Sequence, residues 1–178
     1  MNAVGARGVS LWLMPEGEPR DRLAEIISHL AERFSTTPFP PHVTLLPGIE
    51  GHADGEVLAA SGALAAALRP FPVRLRGVEG GDEPFRCLFV VAALDEPLRA
   101  AHAAAARAFG RKSDPAYMPH LSLVYGALPA RSRQEVAVEL TDLVALSFAA
   151  ARLHVWRTEG PVPDWTEIGV LPLGAHPS

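Results

Sequence analysis

Pro41-His42-Val43-Thr44-Leu45 and Pro119-His120-Leu121-Ser122-Leu123 share one pattern: proline, histidine, apolar residue, hydroxyl residue, leucine. In an extended strand, residues two apart point to the same face, so each histidine shares a face with its hydroxyl partner. Two such strands brought together supply two acid/base groups and two hydroxyl donors around one small anion. The chain holds seven histidines, and a third His-x-Ser match, His176-Pro177-Ser178, sits at the tail without a strand around it. A short motif gains meaning only from its context, so what surrounds the two pentapeptides decides their reading.

Working outward, each pentapeptide closes the same arrangement. Val9 to Met14 read as a strand stopped by Pro15. Leu23, Ile26, Ile27, Leu30, Ala31 and Phe34 then follow the three-four spacing of one helix face, predicting a helix over 20–34. A proline-containing loop leads into a strand over 42–46. The second copy is a strand over 85–94 and a helix over 96–109, with Asp95 as N-cap, Pro97 in the first turn and Gly110 at the end. Another proline-containing loop leads into a strand over 120–125. Outside the copies, the pattern predicts a helix over 54–68 and a strand over 72–79 with Arg74 and Arg76 exposed. Ser132 to Glu135 has capping-box spacing and opens a helix to about 144. Two strands, 147–157 and 165–172, finish the chain. The repeat of pattern predicts two α+β lobes related by a pseudo-twofold axis, with the histidine strands facing a shared cleft.

The background excludes several classes. The 178 residues are 48% hydrophobic, enough for a sizeable core, and the net charge is −4. An acidic balance disfavours long nucleic acid as the main partner, because backbone binding needs a basic surface. No apolar run is long enough to span a membrane, and the N-terminal residues lack a signal-peptide core. The single cysteine, Cys87, has no partner for an internal disulfide and reads as a small buried hydrophobe. The expectation is a cytoplasmic monomer.

The two motifs suit phosphate ester turnover. One imidazole takes a proton from water while the other gives one to the leaving oxygen. Thr44 and Ser122 are placed to hold the non-bridging phosphate oxygens. No His-Glu-x-x-His, Cys-x-x-Cys or glycine-rich phosphate loop is present, so neither a metal nor a cofactor is expected. Arg86 reads either as a phosphate contact or as a solvated side chain. His102 falls on the apolar face of its helix and reads as structural. His154 is expected to be exposed, and His29 and His52 have no supporting partner.

At these residues the chain resembles the 2H phosphoesterase superfamily, named for two His-x-Thr/Ser motifs, and within it the plant and yeast type of cyclic nucleotide phosphodiesterase. The resemblance includes Ser10 to Pro15, Pro41 to Thr44, Phe85 to Phe89 and Tyr117 to Tyr125, the last being the most specific. It implies an α+β, bilobal, LigT-like fold over residues 1–178 as a single domain: two lobes with antiparallel sheets flanked by helices around a central cleft. It also implies metal-independent hydrolysis of a small cyclic phosphate. Substrates of the family include ADP-ribose 1″,2″-cyclic phosphate and nucleoside 2′,3′-cyclic phosphates. His42 and His120 become the acid/base pair, with His120 activating water and His42 protonating the departing oxygen. Thr44 and Ser122 become phosphate ligands. Trp12, Phe85 and Tyr125 match positions near the family's ligand.

Two of those positions have a second reading. An aromatic residue on a strand, such as Trp12, serves equally as core. Strict alternation puts Tyr125 on the face opposite His120, so it reaches the cleft only if the strand bulges or ends there. Two other functions stay open, with RNA 3′ ends as partner in the first: an RNA-end 2′,3′-cyclic phosphodiesterase, and a nucleotide-binding module without turnover.

Overall fold

The computed structural model describes residues 7–174, so the His176 match lies outside the described residues. Eight strands and four helices are present among them: β1 (Val9–Leu13), α1 (Gly17–Phe34), β2 (Val43–Ile49), α2 (Asp54–Ala67), β3 (Phe71–Gly80), β4 (Leu88–Ala92), α3 (Glu96–Ala108), β5 (His120–Val124), α4 (Ala130–Glu139), β6 (Ser147–Ala150), β7 (Arg152–Arg157) and β8 (Thr166–Pro172). The strands form one antiparallel sheet in the order β6-β3-β4-β5-β2-β1-β7-β8. The fold is α+β, as the sequence predicts. No described helix is long and apolar enough to cross a membrane.

The order shows the internal symmetry. The two histidine strands, β5 and β2, are the central pair. Their unit partners β4 and β1 flank them, and a two-stranded extension closes each side. The halves meet along a short seam, the bridge Val43–Leu121. The helices cross this seam: α1 packs on β5 and α3 on β2, so each unit's helix supports the other unit's histidine strand. Burial is what drives the crossing. Leu23, Ile27 and Leu30 of α1 and Leu98, Ala101 and Ala105 of α3 are almost fully buried, and helices gain most of their stability from covering such a face.

Several boundaries differ from the sequence expectation: α1 begins at Gly17 and β2 runs on to Ile49. The strand predicted over 85–94 begins only at Leu88. Pro84–Arg86 form a 3₁₀ turn with proline in its first positions, and Cys87 keeps a helical backbone. The segment 147–157 is two strands: β6 pairs with β3 and β7 pairs with β1, on opposite edges of the molecule's two halves. The fourth helix starts at Ala130 after Pro129, without the Ser132 capping box, and ends at Glu139. Proline's fixed φ suits the entry to a helix two residues before the serine. Asp95 precedes α3 but makes no cap bond. Its carboxylate accepts from Arg74 at 2.8 Å instead.

Candidate active site

The seam between β2 and β5 brings the two motifs together. With Val43 opposite Leu121, the antiparallel register sets His42 beside Ser122 and Thr44 beside His120. The four side chains thus form a square on one face, each histidine next to the other motif's hydroxyl. Diagonal positions on such a ladder are separated by roughly 7–8 Å, which leaves room for one tetrahedral group between the imidazoles. All four residues line one cleft of about 350 Å³.

Both histidines are held in the same way. His42 Nδ1 donates to the Pro40 carbonyl at 2.7 Å, and His120 Nδ1 donates to the Met118 carbonyl at 3.0 Å. A carbonyl only accepts, so each bond puts the proton on Nδ1 and leaves Nε2 as the free, basic nitrogen of the neutral ring. The shared proline-histidine sequence therefore yields a shared tautomer.

The surroundings differ. His42 is only 4% exposed. Trp12 stacks flat on it with centroids 3.5 Å apart, Phe39 meets its edge, and the Tyr125 hydroxyl donates to Nε2 over a long 3.4 Å. Burial dominates and pushes the His42 pKa down to about 3. The Pro40 bond opposes this and the charge of His120 adds to it. His120 is half-buried beside the Phe89 ring. Desolvation again lowers its pKa, the Met118 bond raises it, Arg86 lowers it and Glu83 raises it.

Thr44 points into the cleft with its hydroxyl free of hydrogen bonds to the described residues, while the Tyr117 hydroxyl donates to its backbone carbonyl at 2.9 Å. The Ser122 hydroxyl donates to the Phe85 carbonyl at 2.9 Å. Phe85 thus lines the cleft from the 3₁₀ turn rather than from a strand. Tyr125 reaches the cleft because β5 carries a bulge at Leu123, where the pairing jumps from Ser122–Phe89 to Val124–Leu88. The extra residue resets the alternation. The chain then leaves the strand at Gly126, whose φ of +132° suits only glycine. Burial raises the Tyr125 pKa, so the phenol stays protonated.

Trp12 is placed otherwise than a stacking platform for a ligand. It is 1% exposed and its ring lies between His42 and Trp156, so only its edge borders the cleft. Arg86 lines the cleft paired with Glu83. His102 is buried, bonded to the Leu45 carbonyl and to the Asp114 N–H, and stacked 3.7 Å from Tyr117; it ties α3 and the 111–119 loop to β2. His154, expected to be exposed, is half-buried against Glu167, on the strand position paired with the buried Trp12. The sequence reading missed Trp165, which meets Phe85, Tyr125 and Trp12 at 5.8–6.2 Å, and Arg111 and Lys112, which line the cleft where Arg111 donates to the Pro47 carbonyl at 2.6 Å. Trp165 follows an irregular proline turn, and no periodicity marks which side it faces. No group of three or more potential metal ligands occurs among the described residues.

Fold and site together define a two-histidine protein with twofold pseudosymmetry. A family model for the 2′-5′ RNA ligase superfamily matches residues 15–161, and the chain belongs to that superfamily, the 2H phosphoesterases. It is 28% identical over 171 residues to the cyclic phosphodiesterase of Arabidopsis thaliana, covering 92% of this chain and 94% of that protein. Among solved structures, TT0787 of Thermus thermophilus matches with a TM-score of 0.66 at 21% identity, over 94% of this chain and 98% of that one. E. coli LigT complexed with 3′-AMP matches with a TM-score of 0.61 at 14% identity, over 96% and 99%. These two likenesses bear on the fold.

Proposed function

We propose that this chain is a cyclic phosphodiesterase that opens a small cyclic phosphate with water. A new bond forms between phosphorus and the water oxygen, and one ring P–O bond breaks. One imidazole accepts the water proton, and the other donates a proton to the departing alkoxide. Thr44 donates to a non-bridging oxygen, where charge grows in the transition state, and Ser122 does the same by turning its one hydroxyl proton from the Phe85 carbonyl to the phosphate. The observation that carries this reading is the square of two histidines and two hydroxyls, with each Nδ1 fixed to a backbone carbonyl.

Burial holds both imidazoles below their ordinary pKa. A phosphate anion between them raises both, so the substrate itself draws in the proton that the acid must give. The remainder of the cleft speaks for a nucleotide-like substrate. Phe85, Tyr125 and Trp165 offer ring surface, and Arg111 and Lys112 offer positive charge. ADP-ribose 1″,2″-cyclic phosphate, opened to the 1″-phosphate, fits both. Nucleoside 2′,3′-cyclic phosphates, opened to 2′-phosphates, use the rings alone. The similarity to a named cyclic phosphodiesterase supports the same class.

The test is a panel of ADP-ribose 1″,2″-cyclic phosphate, the four nucleoside 2′,3′-cyclic phosphates and an RNA ending in a 2′,3′-cyclic phosphate, with the product position determined. Turnover of the small compounds is expected. Turnover of the RNA alone replaces this reading by an RNA-end phosphodiesterase, and binding without turnover replaces it by a nucleotide-binding module.

A further inference from the structure

Behind His42 the row of rings continues across two more strands and ends on a carboxylate of a third. Trp12 of β1 lies flat on His42, at 3.5 Å and 7° between planes. Trp156 of β7 lies nearly flat on Trp12, at 4.6 Å and 18°. Because β1 runs between β2 and β7, the Trp12 indole receives one ring from each side. Glu167 of β8 ends the row. Its Oε1 accepts from Trp156 Nε1 at 3.2 Å and from His154 Nδ1 at 2.6 Å. His154 Nε2 is buried without a hydrogen-bond partner among the described residues. Of this row only His42 and Trp12 line the cleft; Trp156, His154 and Glu167 do not.

We infer that Glu167 and Trp156 are positioning residues for His42, acting through Trp12 to fix the imidazole plane and to stabilise the imidazolium formed during turnover. The inference rests on the reading in which His42 exchanges a proton. An indole face is the negative side of the ring quadrupole and attracts a cation laid over it. The indole N–H given to the carboxylate is that of Trp156, so the enriched ring lies against the far face of Trp12 and acts on His42 through it. The other groups facing His42 are the Pro40 carbonyl, the Phe39 ring, the Ser122 and Tyr125 hydroxyls and the His120 imidazole, none of them an anion. In many sites a carboxylate orients its histidine through Nδ1 directly. Here Nδ1 is committed to Pro40, and the carboxylate reaches the ring's face through two indoles.

Glu167→Gln keeps the acceptor and removes the charge, and Trp156→Phe keeps a stacked ring and removes the donor. For both, kcat on the best cyclic phosphate of the panel falls by about threefold to thirtyfold with KM within about twofold. The pH limb belonging to His42 moves to lower pH. Titration of His42 by ¹⁵N NMR in the whole protein, free and with inorganic phosphate, reads the same contact without turnover, and its proton occupancy at fixed pH falls in both variants. An unchanged titration in both variants overturns the inference. So does a raised KM at constant kcat, which would make the row part of the binding surface. If the wild type hydrolyses none of the panel while the titration still shifts, the proposed function fails and the positioning role stands.

Discussion

The two histidine pentapeptides make the instructive comparison. Both fold into strand starts at the central seam, and both give Nδ1 to the carbonyl two residues upstream. Local sequence produces the same local geometry twice. The environments then diverge: His42 is enclosed by Trp12, Phe39 and Tyr125, whereas His120 is half-buried against the edge of Phe89 and near the Arg86–Glu83 pair. Burial therefore works harder against the charged form at His42. Two motifs of one pattern have become chemically unequal through what packs against them.

The largest expected effect breaks the pair altogether. His42→Ala and His120→Ala each lower cyclic phosphodiesterase kcat by about a hundredfold or more, and the double variant falls short of the product of the two losses, because the groups act as a unit. Steady-state kinetics on the panel substrates measures both. Near-equal activity of either variant with wild type removes the acid/base roles.

The second prediction separates the halves by pH. The folded pKa of His42 lies at about 3, below its unfolded value, so the unfolded chain binds more protons between about pH 3 and 6.5. Stability therefore rises with pH through that window and levels off above it, with His42 contributing on the order of a few kcal/mol. Thermal unfolding from pH 4 to 7 shows a steep Tm slope in wild type and a shallower one in His42→Gln. His120→Gln flattens the slope less.

The hydroxyls extend the asymmetry. Ser122 is bonded to Phe85, while Thr44 makes no side-chain bond within the described residues. Thr44→Ala and Ser122→Ala each lose about tenfold or more in kcat/KM, the scale of a hydrogen bond to a charged group. Ser122→Ala also loses about 1 kcal/mol of stability with its anchor to the 3₁₀ turn, whereas Thr44→Ala unfolds like wild type. Denaturant titration beside the kinetics distinguishes them. The smallest effect belongs to Tyr125→Phe, which removes one long hydrogen bond to His42. It changes kcat a few-fold and shifts only the pH limb of His42. An equal shift of both limbs would mean that the two halves are not independently tuned.

Much of the frame is legible in the letters. The helices of both units, their proline loops and the paired His-x-hydroxyl strands follow from periodicity and turn chemistry. These are local properties, since a three-four spacing buries one helix face and a two-residue spacing shares one strand face. Two of the misread boundaries lie where proline overrode the pattern. Pro84 turned the predicted start of β4 into a 3₁₀ turn, and Pro129 opened α4 two residues before the serine of its capping-box spacing.

What the sequence by itself determined is the presence of two equivalent acid/base units. Only the tertiary structure decided which side chains face them. The Val43–Leu121 bridge across the seam sets the register that makes the square. A single extra residue at Leu123 swings Tyr125 into the cleft, and the neighbouring strands turn Trp12 from an open platform into the filled backing of His42. The physical reason is range. Backbone hydrogen bonds and strand faces are fixed by neighbours in the chain. Desolvation, ring stacking and register depend on residues such as Trp156 and Glu167, far along the chain from His42, whose place is known only once the sheet has closed around it.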